Sequence, residues 1–360
     1  MATVKLPTFK YQRVADELRK QIRSGALRPG DRLPSRSEMQ GSINISCVTL
    51  DKVHQTLEQE GLIVRSKGRG TFVADSPRLP KTPVIALLGF ELENAEGADY
   101  WFHMIRGVHR ASHRSGLDNR VIRYDGAFDS DHFDGFLIHG GVLHKIPAEV
   151  ASFPSVCVFH HNPPMASVAA DEADGARQAV DYLLELGHRR IGYMAWLDSQ
   201  PTIQRYSGYR AALEAASIVP QAEWTRNMRY CTGDRRYKAD MFHVGFTNMR
   251  RWLGQGFLNT GCTALLAQND IFALGIIKAL REAKLQVPRD ISVVGFDGIE
   301  EAQRCSPTLT TVAVPLEQAA ETAIGLLVRL IGGEALSNRP LVLPTHLQIG
   351  ESTAAPRARV

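Results

Sequence analysis

The sequence predicts an α/β protein in two unequal parts: a short helical module ending in a β-hairpin, then a long two-lobed region in which each lobe is built on a parallel sheet. Three observations carry that prediction. The 360-residue chain is long for one ordinary domain and suits a small one plus a large one. From position 83 onward compact apolar runs alternate with amphipathic stretches, as strands buried on both faces and separated by helices must. Before position 75 apolar residues recur three or four apart, and the segment closes on two short runs around a Lys/Gly/Arg turn.

The elements follow in order. In YQRVADELRKQIR (11–23), Tyr11, Val14, Leu18 and Ile22 form one apolar stripe, so the segment is a helix, and Gly25 stops it. Pro29-Gly30 and Pro34 forbid its continuation before Ser35 offers an N-cap to a short second helix. Ser46 can cap a longer third one, with Leu50, Val53 and Leu57 as its buried face and an end near Gly61. LIVRSKGRGTFVA (62–74) then reads as a hairpin with a basic turn. Three helices and a basic hairpin make a winged helix-turn-helix over 1–74. DSPRLPKT (75–82), polar and twice interrupted by proline, is a semi-rigid linker. Beyond it PVIALLGF, FDGFLIHG, SVCVFHH, RRIGYMAW, CTALLAQND and SVVGFD read as strands, with helices expected at 101–115, 172–186, 204–216 and 271–283.

Charge separates the two parts. The chain carries +4 overall, but residues 1–80 hold 14 Lys/Arg against 8 Asp/Glu, leaving 28 against 30 for the rest. A basic module joined to a near-neutral one points to a polyanion partner for the first part alone, against the plainer reading of a solvated basic surface. Only the major groove of duplex DNA admits a helix. Ser46, Cys47, Thr49 and Lys52 at the start of the third helix would face it, and the wing backbone at Gly68 and Gly70 could approach a phosphate. Arg36, Thr49, Lys67 and Arg69 are the candidate phosphate contacts, each weighed against an ordinary surface role.

Five cysteines, Cys47, Cys157, Cys231, Cys262 and Cys305, are odd in number and scattered, which suits reduced thiols rather than a disulfide framework or zinc site. The first segment has no apolar stretch to act as an export signal, and no run of about 18 apolar residues occurs. A cytoplasmic protein without membrane partners is expected. No cofactor loop or catalytic signature stands in the sequence, so no cofactor, metal or catalytic residue is assigned. His109 with His113, and His160 beside His161, were the histidine groupings to weigh for a metal sensor; neither completes a ligand set.

In open parallel sheets ligands sit beyond the carboxyl ends of the strands. Glu91, His160, His161, Asp198, Asn269, Asp270 and Asp297 stand at those ends, and Arg205 could enter the same crevice. Planar acceptors and an arginine fork suit vicinal hydroxyls, while Tyr100, Trp101 and Phe102 could cover the apolar face of a sugar ring. For Asn269, Asp270 and Asp297 helix capping is the competing role, since helices begin just after them.

The first part resembles the GntR family of bacterial repressors over about residues 10–74, in LRPGDRLPS, EGLI and GRGTFV standing in order. Where that family places two arginines, this chain has Ser37 and Cys47, and Cys47 cannot make a bidentate contact to guanine. The second part, about 83–354, resembles the LacI family's effector domain, itself similar to periplasmic sugar-binding proteins. DEADGARQAVDYLLELGHRRIGYM, RYSGYRAAL, TALLAQNDIFALGIIKAL, VPRDISVVGFDGIE, SPTLTTVAVP and GESTA carry that likeness. It implies a periplasmic-binding-protein-like fold with effector contacts from Arg205, Asn269 and Asp297, joined by Glu91, Trp101, Phe102 and His160 from the strand-end reading. His188 is assigned to structure. Between NRVIRYD and DGFLIHG only GAFDSDHF stands, short for a parallel crossover, so either a helix is lost or the pairing there is unusual.

Together the resemblances imply a ligand-responsive repressor that binds a palindromic double-stranded operator as a homodimer, with affinity set by a sugar in the interlobe cleft. The pairing is similar to that of bacterial arabinose repressors, which makes arabinose a candidate effector among other mono- and oligosaccharides. A sugar-acting enzyme with Asp270 and Asp297 as its carboxylate pair, or a carrier using the same cleft, are the alternatives.

Overall fold

The computed structural model describes residues 10–23, 26–34, 47–66, 70–74, 82–90, 98–122, 132–147, 150, 152–197, 199–228 and 240–357. The chain divides into two compact units, Met1–Thr82 and Pro83–Val360. Among the described residues no helix is long and apolar enough to cross a membrane.

In the first unit α1 (Lys10–Arg23) and α2 (Cys47–Gln59) pack together and are followed by the antiparallel pair β1 (Ile63–Ser66) and β2 (Gly70–Val73). Val14, Leu18 and Ile22 of the expected stripe are buried with Leu50, Val53 and Leu57 of α2, and Leu33, Leu62 and Val73 complete the core. Each such side chain contributes about 1.5–3 kcal/mol on burial. Arg19 ties the far ends of the helices through a two-pronged pair with Glu60, Nε to Oε2 at 2.8 Å and Nη2 to Oε1 at 2.6 Å. One feature beyond the sequence reading is a third edge to the hairpin. Leu33 N–H donates to the Thr71 carbonyl at 2.9 Å and Val73 N–H to the Asp31 carbonyl at 2.8 Å, with Arg32 bridging Phe72. The Pro29-Gly30 turn therefore feeds a short strand before the expected second helix, whose residues 35–46 lie outside the described residues, as do the 75–81 linker and the side chain of Tyr11.

The second unit holds two six-stranded sheets. Its elements are β3 (Val84–Leu88), α3 (Ala98–Ser115), β4 (Asp118–Ile122), β5 (Gly135–His139), β6 (Ser155–Val158), β7 (Ala166–Ala170), α4 (Glu172–Glu185), β8 (Ile191–Ala195) and α5 (Gln200–Ala215). Then follow β9 (Thr225–Asn227), α6 (Met241–Gly254), β10 (Ala264–Ala267), α7 (Asp270–Glu282), β11 (Ser292–Asp297), α8 (Glu300–Arg304), β12 (Thr310–Ala313), α9 (Leu316–Ile331), β13 (Leu341–Leu343) and β14 (His346–Gln348). The first sheet runs β13-β7-β6-β5-β3-β4, parallel throughout. The second runs β14-β12-β11-β10-β8-β9, parallel except for β14 on β12.

The chain passes between the sheets three times. After β7 of the first sheet, α4 packs on the second; after β12 of the second, α9 packs back on α3 and the first sheet; β13 and β14 then split between them. The passages are tied to one another: Asp171 N–H donates to the Leu343 carbonyl at 2.8 Å, and Thr345 Oγ1 donates to the Asp171 carbonyl at 3.1 Å. A few short connecting segments between two lobes are the kind of element a hinge uses.

The short β4–β5 connection does not alter the sheet. β4 and β5 lie on opposite sides of β3, both parallel to it, so the pairing is ordinary. Residues 123–131 of the connection lie outside the described residues.

Candidate functional site

A cavity of about 240 Å³ lies between the lobes of the second unit. It is somewhat below the roughly 300–1,000 Å³ of drug-sized ligand sites, and thus suits a small molecule. The first lobe supplies Tyr100 and Trp101 from the opening turn of α3; the second supplies Pro201, Thr202 and Arg205 from α5, Met241 from α6, Gln268, Asn269 and Ile271 around the start of α7, and Asp297 and Ile299 after β11. Any ligand seated there touches both lobes.

Arg205 organises the floor. It is 7% exposed, and each of its three nitrogens holds an acceptor. Nε donates to Glu172 Oε2 at 2.6 Å, Nη2 to Asp297 Oδ1 at 3.2 Å, and Nη1 to the Gln268 carbonyl. Its guanidinium lies 3.7 Å from the Phe296 ring centroid, a stacked cation–π contact. Because α4, β10 and β11 each send a partner to a side chain carried on α5, this one residue ties four elements of the second lobe together at the cleft.

Asp297 ends β11 with φ of 114°, a region L-residues seldom adopt and one that marks stored strain where it is held in place. What holds it is Asp270. That carboxylate is fully buried, accepts from Gly298 N–H at 2.8 Å and Ile299 N–H at 3.0 Å through Oδ2, and takes the Thr311 hydroxyl on Oδ1 at 2.5 Å. It thereby clamps the loop just after Asp297. Gly295 is required for this approach, since a Cβ there would lie 2.1 Å from Asp270 Oδ1. Burial, followed by the Asp297 charge, raises the Asp270 carboxyl to about 8. Burial likewise raises Asp297 to about 7; Arg205 opposes the rise and Glu172 adds to it.

On the other wall, Gly141 N–H donates to His139 Nδ1 at 3.2 Å, so the neutral ring carries its proton on Nε2. Burial pushes His139 down to about 4, which keeps it neutral. Nε2–H therefore donates to the Tyr100 oxygen, 3.3 Å away, and the phenol's own proton is left for an acceptor elsewhere. Trp101 packs edge-on against His139 and Phe90.

Of the expected effector residues, Trp101, Arg205, Asn269 and Asp297 come together on one cavity. Asn269 also caps α7, its Oδ1 accepting from Phe272 N–H at 2.9 Å, so cavity lining and capping share one residue. Asp270 has the structural role, and its oxygens are spent on the loop and Thr311. Phe102 is not in the cleft. Consecutive helix residues stand about 100° apart, so Phe102 cannot share the wall that Trp101 lines; it is 56% exposed, with Arg106 over its ring at 5.1 Å. His160 is also elsewhere. Phe159, at φ 58°, turns the chain after β6, and His160 Nδ1 accepts from Asn162 N–H at 3.2 Å outside the cavity lining. Glu91 and Asp198 lie outside the described residues.

His188 is buried and bonded to Thr263 at 2.7 Å, Ser292 at 3.1 Å and the Ala354 carbonyl at 2.9 Å, a structural knot as expected. The sequence reading missed Glu172, Gln268 and His139. Gln268 Oε1 accepts from Trp196 N–H at 2.8 Å and locks the ends of β8 and β10 together. Gln268 sits directly beside Asn269, which the strand-end reading singled out, and Glu172 opens the helix expected at 172–186. Among the described residues the side chains that converge like metal ligands are Asp99, His103 and Glu300, not the histidine pairs weighed in sequence. They serve contacts already: Asp99 accepts from Glu300 N–H across the lobes, and His103 Nδ1 meets Glu317 at 2.9 Å.

Of the expected DNA-facing residues, Thr49 and Lys52 stand on the first two turns of α2, half-buried and exposed respectively, with the backbone of Cys47 opening the helix. Arg36, Ser46, Lys67, Gly68 and Arg69 lie outside the described residues.

Residues 10–73 match the family described as bacterial regulatory proteins, gntR family, and residues 180–353 match the periplasmic binding protein-like domain. The NTD biosynthesis operon regulator NtdR of Bacillus subtilis (strain 168) is 31% identical, across 89% of this chain and 100% of its own length. The HTH-type transcriptional repressor MelR of the same strain is 29% identical over 86% of this chain and 90% of its own. A solved transcriptional regulator CelR–cellobiose complex superposes with a TM-score of 0.63 at 25% identity, covering 87% of this chain and 93% of that one. With a GntR-type helix-turn-helix head on a two-sheet periplasmic-binding-protein-like body, the chain belongs to the LacI/GntR family of transcriptional regulators.

Proposed function

We propose that the chain is a ligand-controlled transcriptional repressor: a homodimer whose winged heads grip a palindromic operator, with that grip set by a small polyol in the interlobe cleft. The observation that carries this reading is the division of the cavity wall. Tyr100 and Trp101 come from one lobe, while Arg205, Asn269 and Asp297 come from the other. A ligand bridging them has different affinity for open and closed arrangements, and only such a difference can shift a population. Planar polar groups beside aromatic rings suit a sugar, arabinose or another mono- or oligosaccharide. The repressor MelR and the cellobiose-bound CelR accord with both halves of the proposal. Two-fold symmetric heads pair naturally with two half-sites.

Binding without turnover is part of the reading. An enzyme would need Asp270 and Asp297 as a working carboxylate pair, but Asp270 is buried and spent on two backbone amides and Thr311. The DNA contacts from Arg36, Ser46, Cys47, Thr49, Lys52, Lys67, Gly68 and Arg69 are proposed on the same basis. So are the 1–74 head, the 75–82 linker and the 83–354 effector region, and a cytoplasmic location. The test is selection of an operator from random duplexes with the full chain, then titration of that operator with and without a carbohydrate panel. A change of about 5- to 150-fold in operator affinity is expected with one member. Unchanged affinity with every sugar that binds the protein refutes the coupling.

A further inference from the structure

The cleft floor holds more carboxyl groups than its one arginine can pair. Glu172, Asp270 and Asp297 are three carboxyl groups against the one guanidinium of Arg205, the cation among the described lining residues. Asp270 has its own donors, and Glu172 is 3% exposed against Arg205 Nε. Asp297 differs. Its side chain is 13% exposed and lines the cavity; Oδ1 takes the longer of the two Arg205 carboxylate contacts, and Oδ2 has no hydrogen-bond partner among the described residues. Above the same cavity stand Tyr100 and Trp101, whose π faces attract cations.

A buried carboxylate with an unused oxygen, beside a second carboxylate that holds the arginine more closely, attracts a positive group and repels a negative one. The aromatic rings that line the same cavity add to that attraction. An anionic ligand such as a sugar phosphate would meet Asp297 and Glu172 with no uncommitted guanidinium nitrogen to receive it. We propose that the effector of this cleft carries a protonated amine, as in an amino sugar, whose ammonium pairs with Asp297 beneath the Tyr100 and Trp101 rings. The proposal rests on the polyol-receptor reading above and narrows its ligand class. The rise of the Asp297 carboxyl to about 7, driven by burial and Glu172, is the strain that an ammonium would relieve.

The test is calorimetric titration of the full-length protein with glucose, galactose and their amino-deoxy forms at positions 2, 3, 4 and 6, repeated on Glu172→Gln and Asp297→Asn. The expected result is an amino-deoxy sugar that binds about 10- to 100-fold more tightly than its parent, the range of one charge-assisted hydrogen bond. Asp297→Asn should erase that preference, and Glu172→Gln, which lowers the negative surplus while keeping the shape, should reduce it. Parents that bind as tightly as every amino form overturn the proposal and leave the polyol-receptor reading standing. Absence of binding by both series overturns the amine proposal, and absence of binding by the whole carbohydrate panel, arabinose included, overturns the polyol-receptor reading with it.

Discussion

Replacing Arg205 by Met is the sharpest probe of how the cleft is built. The thioether fills much of the stem's volume but removes the charge that separates Glu172 from Asp297, the bond to the Gln268 carbonyl and the stacking on Phe296. Deleting one partner of a buried ionic cluster costs about 3–5 kcal/mol, because the remaining charges stay buried and uncompensated. For a unit of this size that is a fall in Tm on the order of 10 °C. The chain's four tryptophans, Trp101, Trp196, Trp224 and Trp252, all lie in the second unit, so thermal unfolding followed by tryptophan fluorescence reports that unit alone. The double variant Glu172→Gln/Arg205→Met should recover at least about 1 kcal/mol, since one of the two orphaned carboxylates is gone. An Arg205→Met protein within about 0.5 kcal/mol of the parent, or a double variant whose losses simply add, would refute the claim that the ion cluster organises the lobe.

Three further outcomes follow from the same geometry. Burial holds the Asp270 and Asp297 carboxyls near 8 and 7, above the ordinary aspartate value of 3.8, so the native state holds protons that the unfolded chain has released; their contribution should be full below about pH 4, fall as pH rises to about 8, and then level off in denaturant titrations across that range. Stability that rises steadily over the same window would contradict the burial argument. Gly295→Ala should cost about 1–3 kcal/mol by overpacking and weaken effector binding, because the displaced Asp270 carboxylate holds the loop after Asp297; a neutral effect in chemical unfolding would count against that clamp. Trp101→Ala should weaken effector binding about tenfold and Phe102→Ala should leave it unchanged in calorimetry, with the reverse order placing the helix phase in error.

Much of this molecule was legible before its structure because its long elements have one dominant period. The stripe Val14, Leu18 and Ile22 and the continuous apolar runs of β3, β5, β8 and β11 could hardly be read otherwise. β7 (ASVAA) escaped because alanine is a weak strand signal, and β9, β13 and β14 are three residues each, too short to show a period. Of the cavity-lining residues, Arg205, Asn269 and Asp297 were singled out by resemblance and strand-end position, whereas Phe102 and His160 fall outside the lining for reasons of local geometry. The helix phase at α3 and the left-handed turn at Phe159 decide those two directions, and neither is visible in residue type. Glu172 and Gln268 were passed over because their roles depend on partners 33 and 72 positions away.

If cleft and operator are energetically coupled, linkage makes that coupling reciprocal. The most direct measurement is calorimetric titration of the effector into free protein and into protein saturated with its operator. The effector's Kd should shift between them, by the same factor by which the effector shifts the operator's Kd. Identical effector affinity in the two titrations would contradict it.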